Sequence, residues 1–245
     1  MKGRALRWMW LGTLPYADAW ALQQHLAAAR REGAIADDLV IMLEHPPVFT
    51  MGRNGEAWHL RDGVASLRAA GADYIEVDRG GSVTFHGPGQ LVAYPIVELA
   101  GVFPIASDPA RGDVVRYLRA LEAAMIDTAG AYRVVVSRRP PYTGVWSGDR
   151  KLAAIGVKLS RGITTHGVAM NIDNDLRWFD LVVPCGIDGA RVASLRSLGA
   201  ADVSAPEVAA VLADRLAEAF DEQLFVEDAQ LRRVIERSLG ARTAA

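Results

Sequence analysis

Arg79-Gly80-Gly81-Ser82-Val83-Thr84-Phe85-His86-Gly87-Pro88-Gly89-Gln90, continued by Leu91-Val92-Ala93-Tyr94-Pro95-Ile96-Val97, sets two extended runs on either side of a glycine-rich turn. Ser82 to Phe85 alternates polar and apolar side chains, the period of a half-buried strand, and Gln90 to Val97 resumes an extended pattern. The spacing predicts a hairpin, and therefore an antiparallel pair, near the middle of the chain.

More strands are expected around it. Leu39-Val40-Ile41-Met42-Leu43 is a buried strand ended by His45-Pro46-Pro47, where proline disfavours helix. Leu6 to Leu11, Tyr74 to Val77, Val134 to Val136, Val145-Trp146, Leu152 to Leu159 and Gly167 to Ile172 extend the set. Helices flank these strands. Pro15 suits the first turn of a helix to Arg31, and Ala65 to Ala70 makes a short one. Val114 to Ala129 carries Val114, Tyr117, Leu118, Leu121 and Met125 at helical spacing. Ala205 to Phe220 and Ala229 to Leu239 close the chain, and Asp173 or Asn174 caps a short helix through Trp178 and Phe179. Leu99 to Pro109 is expected to be a surface loop. Short strand-to-strand links favour an α/β or α+β domain with a mixed, largely antiparallel central sheet flanked by helices.

Composition excludes several functions. With 27 Lys and Arg against 29 Asp and Glu, the net charge of −2 gives no general case for nucleic-acid binding. One cysteine rules out an intrachain disulfide framework and a Cys-rich zinc site, and neither His-Glu-x-x-His nor a cysteine pair supports a metal centre. No run reaches the length of a membrane span, and Met1 to Leu11 lacks a signal-peptide core. The expectation is a soluble, cytoplasmic globular protein, read as a single domain over residues 1–245.

The glycine-rich stretch lets main chain approach a ligand closely, although a tight turn without a site accounts for it equally simply. It is neither a dinucleotide fingerprint nor a Walker A loop. His86 and His166 are each ambiguous between proton carrier and satisfied polar group. The lone Cys185 is by itself more often a small buried apolar group than a nucleophile. Lys151, beside Arg150, is ordinarily a solvated cation, but an ammonium near a thiol stabilises its thiolate, the form that accepts acyl groups.

Four blocks in order change that balance. These are His45-Pro46-Pro47-Val48-Phe49-Thr50-Met51-Gly52, Arg79 to Gln90, Lys151 to Gly156 continuing to His166-Gly167-Val168-Ala169-Met170-Asn171, and Pro184-Cys185-Gly186. Together they resemble the lipoyl(octanoyl) transferase family, over a core of roughly residues 35 to 225. Lys151 and Cys185 stand 34 positions apart, as the family's lysine and cysteine do.

The resemblance implies the α/β fold of lipoate and biotin protein ligase catalytic domains. It also implies an acyltransferase that moves an octanoyl group from octanoyl-acyl carrier protein to a lysine of apo lipoyl domains. No cofactor and no metal are implied. In that family's terms Cys185 is the nucleophile that forms a thioester, and Lys151 lowers the thiol pKa and moves protons. Arg79, Gly80, Gly81, Ser82, Val83, Thr84, Phe85 and His86, then Ala154, Ile155 and Gly156, then Gly167, Val168 and Ala169 match the segments that line the acyl site. Backbone N–H groups near Cys185 or at Gly80-Gly81 are candidate oxyanion donors. Arg138, Arg139, Arg150, Lys158 and Arg161 are expected to form a docking surface for acidic protein substrates.

Two other functions fit parts of the sequence. An ATP-dependent lipoate or biotin ligase makes an acyl-adenylate and needs no nucleophilic cysteine, but the biotin ligases' Gly-Arg-Gly-Arg-x-Gly pattern is missing. A noncatalytic acyl-carrier or lipoyl-domain binding module has no obvious use for a Lys/Cys pair.

Overall fold

The computed structural model describes residues 4–183, 191–226 and 232–236. In chain order its elements begin β1 (Ala5–Thr13), α1 (Tyr16–Arg31), β2 (Asp38–Glu44), β3 (Val48–Met51), α2 (Gly63–Ala69), β4 (Asp73–Glu76), β5 (Val83–His86) and β6 (Gln90–Ile96). They continue with α3 (Leu99–Val102), β7 (Pro104–Ile105), β8 (Asp108–Gly112), α4 (Val114–Ala131), β9 (Ser137–Arg139), β10 (Tyr142–Ser147) and β11 (Arg150–Ser160). Last come β12 (Ile163–Asn171), β13 (Arg191–Val192), α5 (Ala205–Phe220) and β14 (Gln223–Val226).

The main sheet runs β14-β1-β2-β6-β12-β11-β10-β9, with β13 beside β11. Pairs from β2 through β9 are antiparallel, whereas β1 lies parallel to both β2 and β14. The parallel β1–β2 pair needs a crossover, which α1 supplies. A mixed, largely antiparallel sheet is thus what the strand-rich middle of the chain builds.

Alternation along β2 sorts the two faces. Leu39, Ile41 and Leu43 join Ala19, Leu22 and Leu26 of α1 in one apolar layer. Val40 and Met42 join Tyr117, Leu121 and Met125 of α4, and Val208, Leu212 and Leu216 of α5, in the other. A strand buried on both faces is uniformly apolar, as Leu39 to Leu43 is. α5 starts at a capping box between Ser204 and Glu207 and stops at Asp221, which takes the left-handed conformation.

The hairpin expected around Gly87-Pro88-Gly89 does not form. β5 pairs with β3 in a separate three-stranded sheet, β4-β3-β5, whereas β6 pairs with β2 and β12 in the main sheet. The turn is instead a corner between sheets. At Gly89, with φ of +81°, an added Cβ would stand 2.7 Å from the Asn174 amide nitrogen, so only glycine fits.

Three local expectations also change. Leu99 to Pro109 forms α3 and the start of the small β7–β8 hairpin rather than a loop. The strand expected at Val134 to Val136 begins at Ser137. Asp175, not Asp173 or Asn174, caps the 3-10 turn Leu176–Leu181, accepting from the Arg177 N–H. No helix among the described residues is long and apolar enough to cross a membrane.

Candidate active site

A cavity of about 410 Å³ opens where the small sheet faces the main one. That is within the range of about 300–1,000 Å³ usual for small-molecule sites. Arg79, Gly81, Ser82, Val83, Thr84 and His86 form one wall. Ala154, Ile155 and Gly156 of β11, with Gly167, Val168 and Ala169 of β12, form the opposite one. Lys151 stands at the end of β11 nearest Pro141, Tyr142 and Thr143. The fold therefore brings together thirteen residues that the sequence placed in three separate segments.

Phe85 and Gly80 are not on the wall. The Phe85 ring is buried against Phe49, Trp178 and Phe179, because its strand position turns it into the core of the small sheet. The Gly80 N–H donates to the Val157 carbonyl at 3.0 Å, tying the small sheet to β11, so it is not an oxyanion donor. Tyr16, Val92 and Tyr94 line the cavity without any motif to announce them. A single tyrosine at a helix start or within a buried strand is indistinguishable in sequence from core packing.

Cys185 lies outside the described residues. The chain before it reaches Val183, whose N–H donates to the His59 carbonyl at 2.8 Å. The chain after it resumes at β13, where Arg191 pairs with Arg150 and Val192 with Lys151.

Arg79 is held rather than swinging. Its Nη2 donates to the Thr50 carbonyl and to Thr50 Oγ1, both at 2.8 Å, and its Nη1 to the Gly80 carbonyl at 3.0 Å. Thr50 Oγ1 lies 3.4 Å from His86 Nε2. On its other side His86 Nδ1 donates to Gln90 Oε1 at 2.8 Å, since Gln90 Nε2 is already donating to the Phe85 carbonyl and Asn171 Oδ1. His86 thus stands neutral with its Nε2 lone pair turned toward Thr50. Desolvation, then His45 and Arg79, hold its pKa well below the usual imidazole value.

Deeper in, His45 Nδ1 donates to the Leu14 carbonyl at 2.6 Å, which leaves Nε2 to accept from the Tyr94 hydroxyl at 2.7 Å. His166, with φ of 55° inside β12, meets Asp78 Oδ1 at 2.9 Å through Nε2 and the Tyr16 hydroxyl at 3.3 Å through Nδ1. Desolvation pushes the Tyr16 hydroxyl up to about 12. Tyrosine and histidine are both neutral at pH 7 here, so this end of the cavity offers dipoles rather than charge.

Burial also pushes His45 down to about 4. The unfolded chain, with imidazole near 6.5, then binds the proton more readily than the folded one. Its contribution to stability is complete above about pH 6.5 and is lost as pH falls through about 4, by up to roughly 3 kcal/mol. His86 acts in the same direction. Urea midpoints are expected to fall between pH 7 and pH 4.5, and less steeply for His45→Gln. A flat profile in the unsubstituted protein would refute this origin for acid sensitivity.

The basic residues clustered in sequence do not form one patch. Arg138 Nε donates to the buried Glu122 at 2.8 Å, and the Arg139 guanidinium lies 5.1 Å from the Trp146 ring. Lys158 pairs with Asp78 at the far end of β11 from Arg150, about 26 Å away along a strand. Arg138 is committed to the fold, because reversing its charge would set two anions together.

Residues 15–217 match the model of the lipoyl protein ligase A/B catalytic domain. The chain belongs to that family. Among relatives, the octanoyltransferase of Solibacter usitatus is 48% identical over 189 residues, covering 77% of this chain and 81% of that protein. The octanoyltransferase of Chloroflexus aurantiacus is 45% identical over 221 residues, covering 89% and 95%. The fold is shared with a lipoate-protein ligase A bound with ATP, at a TM-score of 0.72, 14% identity, and coverage of 98% of this chain and 95% of that one. A bi-partite lipoate protein ligase from Thermoplasma acidophilum matches at a TM-score of 0.69 and 15% identity, over 98% and 92% of the two chains. The family resemblance carried by the four sequence blocks and the expected fold class both hold.

Proposed function

We propose that this protein transfers an octanoyl group from octanoyl-acyl carrier protein to a lysine of apo lipoyl domains, through a thioester on Cys185. The observation that carries this is the cavity: it joins buried Lys151 to the glycine-rich wall and to two small-residue strand segments. Relatives named octanoyltransferase at 45% and 48% identity support the same reaction.

The Cys185 thiolate attacks the acyl carbonyl carbon, and the carrier's thiol leaves with a proton from Lys151. The acceptor lysine amine then attacks the enzyme thioester, Cys185 leaves as thiolate, and the amine's proton returns to Lys151. Both steps begin from an activated thioester, so no nucleotide is consumed. Arg79, Gly81 to Thr84 and His86, with Ala154 to Gly156 and Gly167 to Ala169, hold the acyl chain. A cysteine that must remain a thiol suits a reducing compartment, and we place the protein in the cytoplasm as a monomeric catalyst.

The test uses intact mass after incubation with octanoyl-acyl carrier protein in the absence of ATP. One hydroxylamine-labile octanoyl group is expected on the protein, absent from Cys185→Ser, and chased onto apo lipoyl domain. Transfer that demands ATP and free octanoate and survives Cys185→Ser would assign a ligase instead. Binding of both partners with no transfer would leave a binding module.

A further inference from the structure

We propose that Glu122 of α4 is a positioning residue for Lys151, acting through the backbone of Gly144. The inference rests on the acid–base role of Lys151 proposed above. Glu122 is wholly buried. Its Oε2 accepts from Arg119 Nη1 at 2.6 Å and from Arg138 Nε at 2.8 Å, while Oε1 accepts from the Gly144 N–H at 3.1 Å.

A buried carboxylate held by two half-exposed guanidiniums gains little over an apolar side chain of the same volume, because its desolvation offsets an attraction screened by solvent. The third bond is the informative one. Gly144 stands one residue before the β10–β11 register shift, which falls between Val145 opposite Ala153 and Trp146 opposite Lys151. Beside that irregularity Glu122 supplies the acceptor for the Gly144 amide.

Gly144 is also the wall along which Lys151 lies. Its φ is +118°, and a Cβ there would stand 2.8 Å from Lys151 Cε and 2.5 Å from the Ala153 carbonyl oxygen. Two residues on, the Trp146 ring centre lies 5.1 Å from Lys151 Nζ. Fixing Gly144 therefore fixes one side of the channel that aims the ammonium. The helix reaches the reacting group through one backbone amide.

Cys185 is the sole cysteine, so the pH dependence of alkylation by iodoacetamide reports thiolate formation directly. The unsubstituted protein and Lys151→Ala define its two ends. In Glu122→Leu the alkylation midpoint is expected to move toward that of Lys151→Ala, and single-turnover acylation to fall about tenfold with KM for octanoyl-acyl carrier protein within about twofold. A folded Glu122→Leu with unaltered midpoint and acylation overturns the inference. If Glu122→Leu does not fold, Arg138→Met removes one clamp from the solvent side, with a smaller shift in the same direction expected and no shift overturning the inference. A Lys151→Ala midpoint equal to that of the unsubstituted protein overturns the acid–base role itself, a result distinct from failure of the Glu122 variant alone.

Discussion

Lys151→Ala is expected to slow octanoyl transfer by about a hundred- to ten-thousand-fold, the span associated with a positioned acid–base group. The residue is 7% exposed, far less than an ordinary surface lysine, and its carbonyl accepts from the Ala193 N–H at 2.9 Å. Main-chain placement by β10, β11 and β13 survives the substitution, so the defect is expected in the rate and not in the melting temperature. Single-turnover acylation and the chase onto lipoyl domain are each read separately, because the proposed mechanism has the lysine move a proton in both. Lys151→Arg keeps the charge but replaces a compact ammonium with a planar fork, and it is expected to recover little. A Lys151→Ala enzyme within tenfold of the unsubstituted one would remove the residue from the chemistry.

The second large effect concerns folding. In Gly167→Ala the new Cβ would lie 2.1 Å from the Ala93 carbonyl oxygen and 2.7 Å from Pro95 Cδ. Backbone does not step aside as a side chain does, so β6 and β12 must part in the centre of the main sheet. A loss of about 3 kcal/mol is expected, at the upper end for overpacking. Gly156→Ala meets the Arg79 side chain, with Cδ at 2.8 Å, and the Gly80 carbonyl oxygen at 3.1 Å; with Arg79 pinned by its hydrogen bonds it is expected to cost a smaller but real amount, about 2 kcal/mol, while weakening acyl binding. Urea titrations of the two variants side by side distinguish these outcomes. Equal midpoints would show that the close contact at Gly167 relaxes freely.

Local signals explain what was legible. α5 has a Ser/Glu cap, a proline in its first turn and an apolar stripe, and its bounds Ala205–Phe220 follow from those residues alone. β2 is uniformly apolar because both of its faces are covered. The partnership of β5 and β6 was not legible. Two extended runs and a glycine turn are the same local pattern whether they make a hairpin or a corner, and the difference lies in non-local pairing, β5 with β3 and β6 with β2 and β12. β3 gave no strand signal of its own, since its four residues Val48–Met51 follow directly on two prolines.

The site divides in the same way. Arg79 to His86, the β11 and β12 segments and Lys151 were named by motif, and thirteen of those residues meet at one cavity. Tyr16 and Tyr94 carry no motif and emerge only from three-dimensional convergence. Glu122 illustrates the point further: in sequence it is one more acid on an amphipathic helix, and only the fold shows its carboxylate directed at a glycine amide.

The bond from the Gly80 amide to Val157 gives the cavity the character of a caliper with a locked jaw. Its opening in the direction across the strands is set by a main-chain clamp between two sheets, not by the bulk of any side chain. The spacing between the two walls at this point is therefore held by main chain, and substituting the side chains that face the cavity leaves that spacing in place.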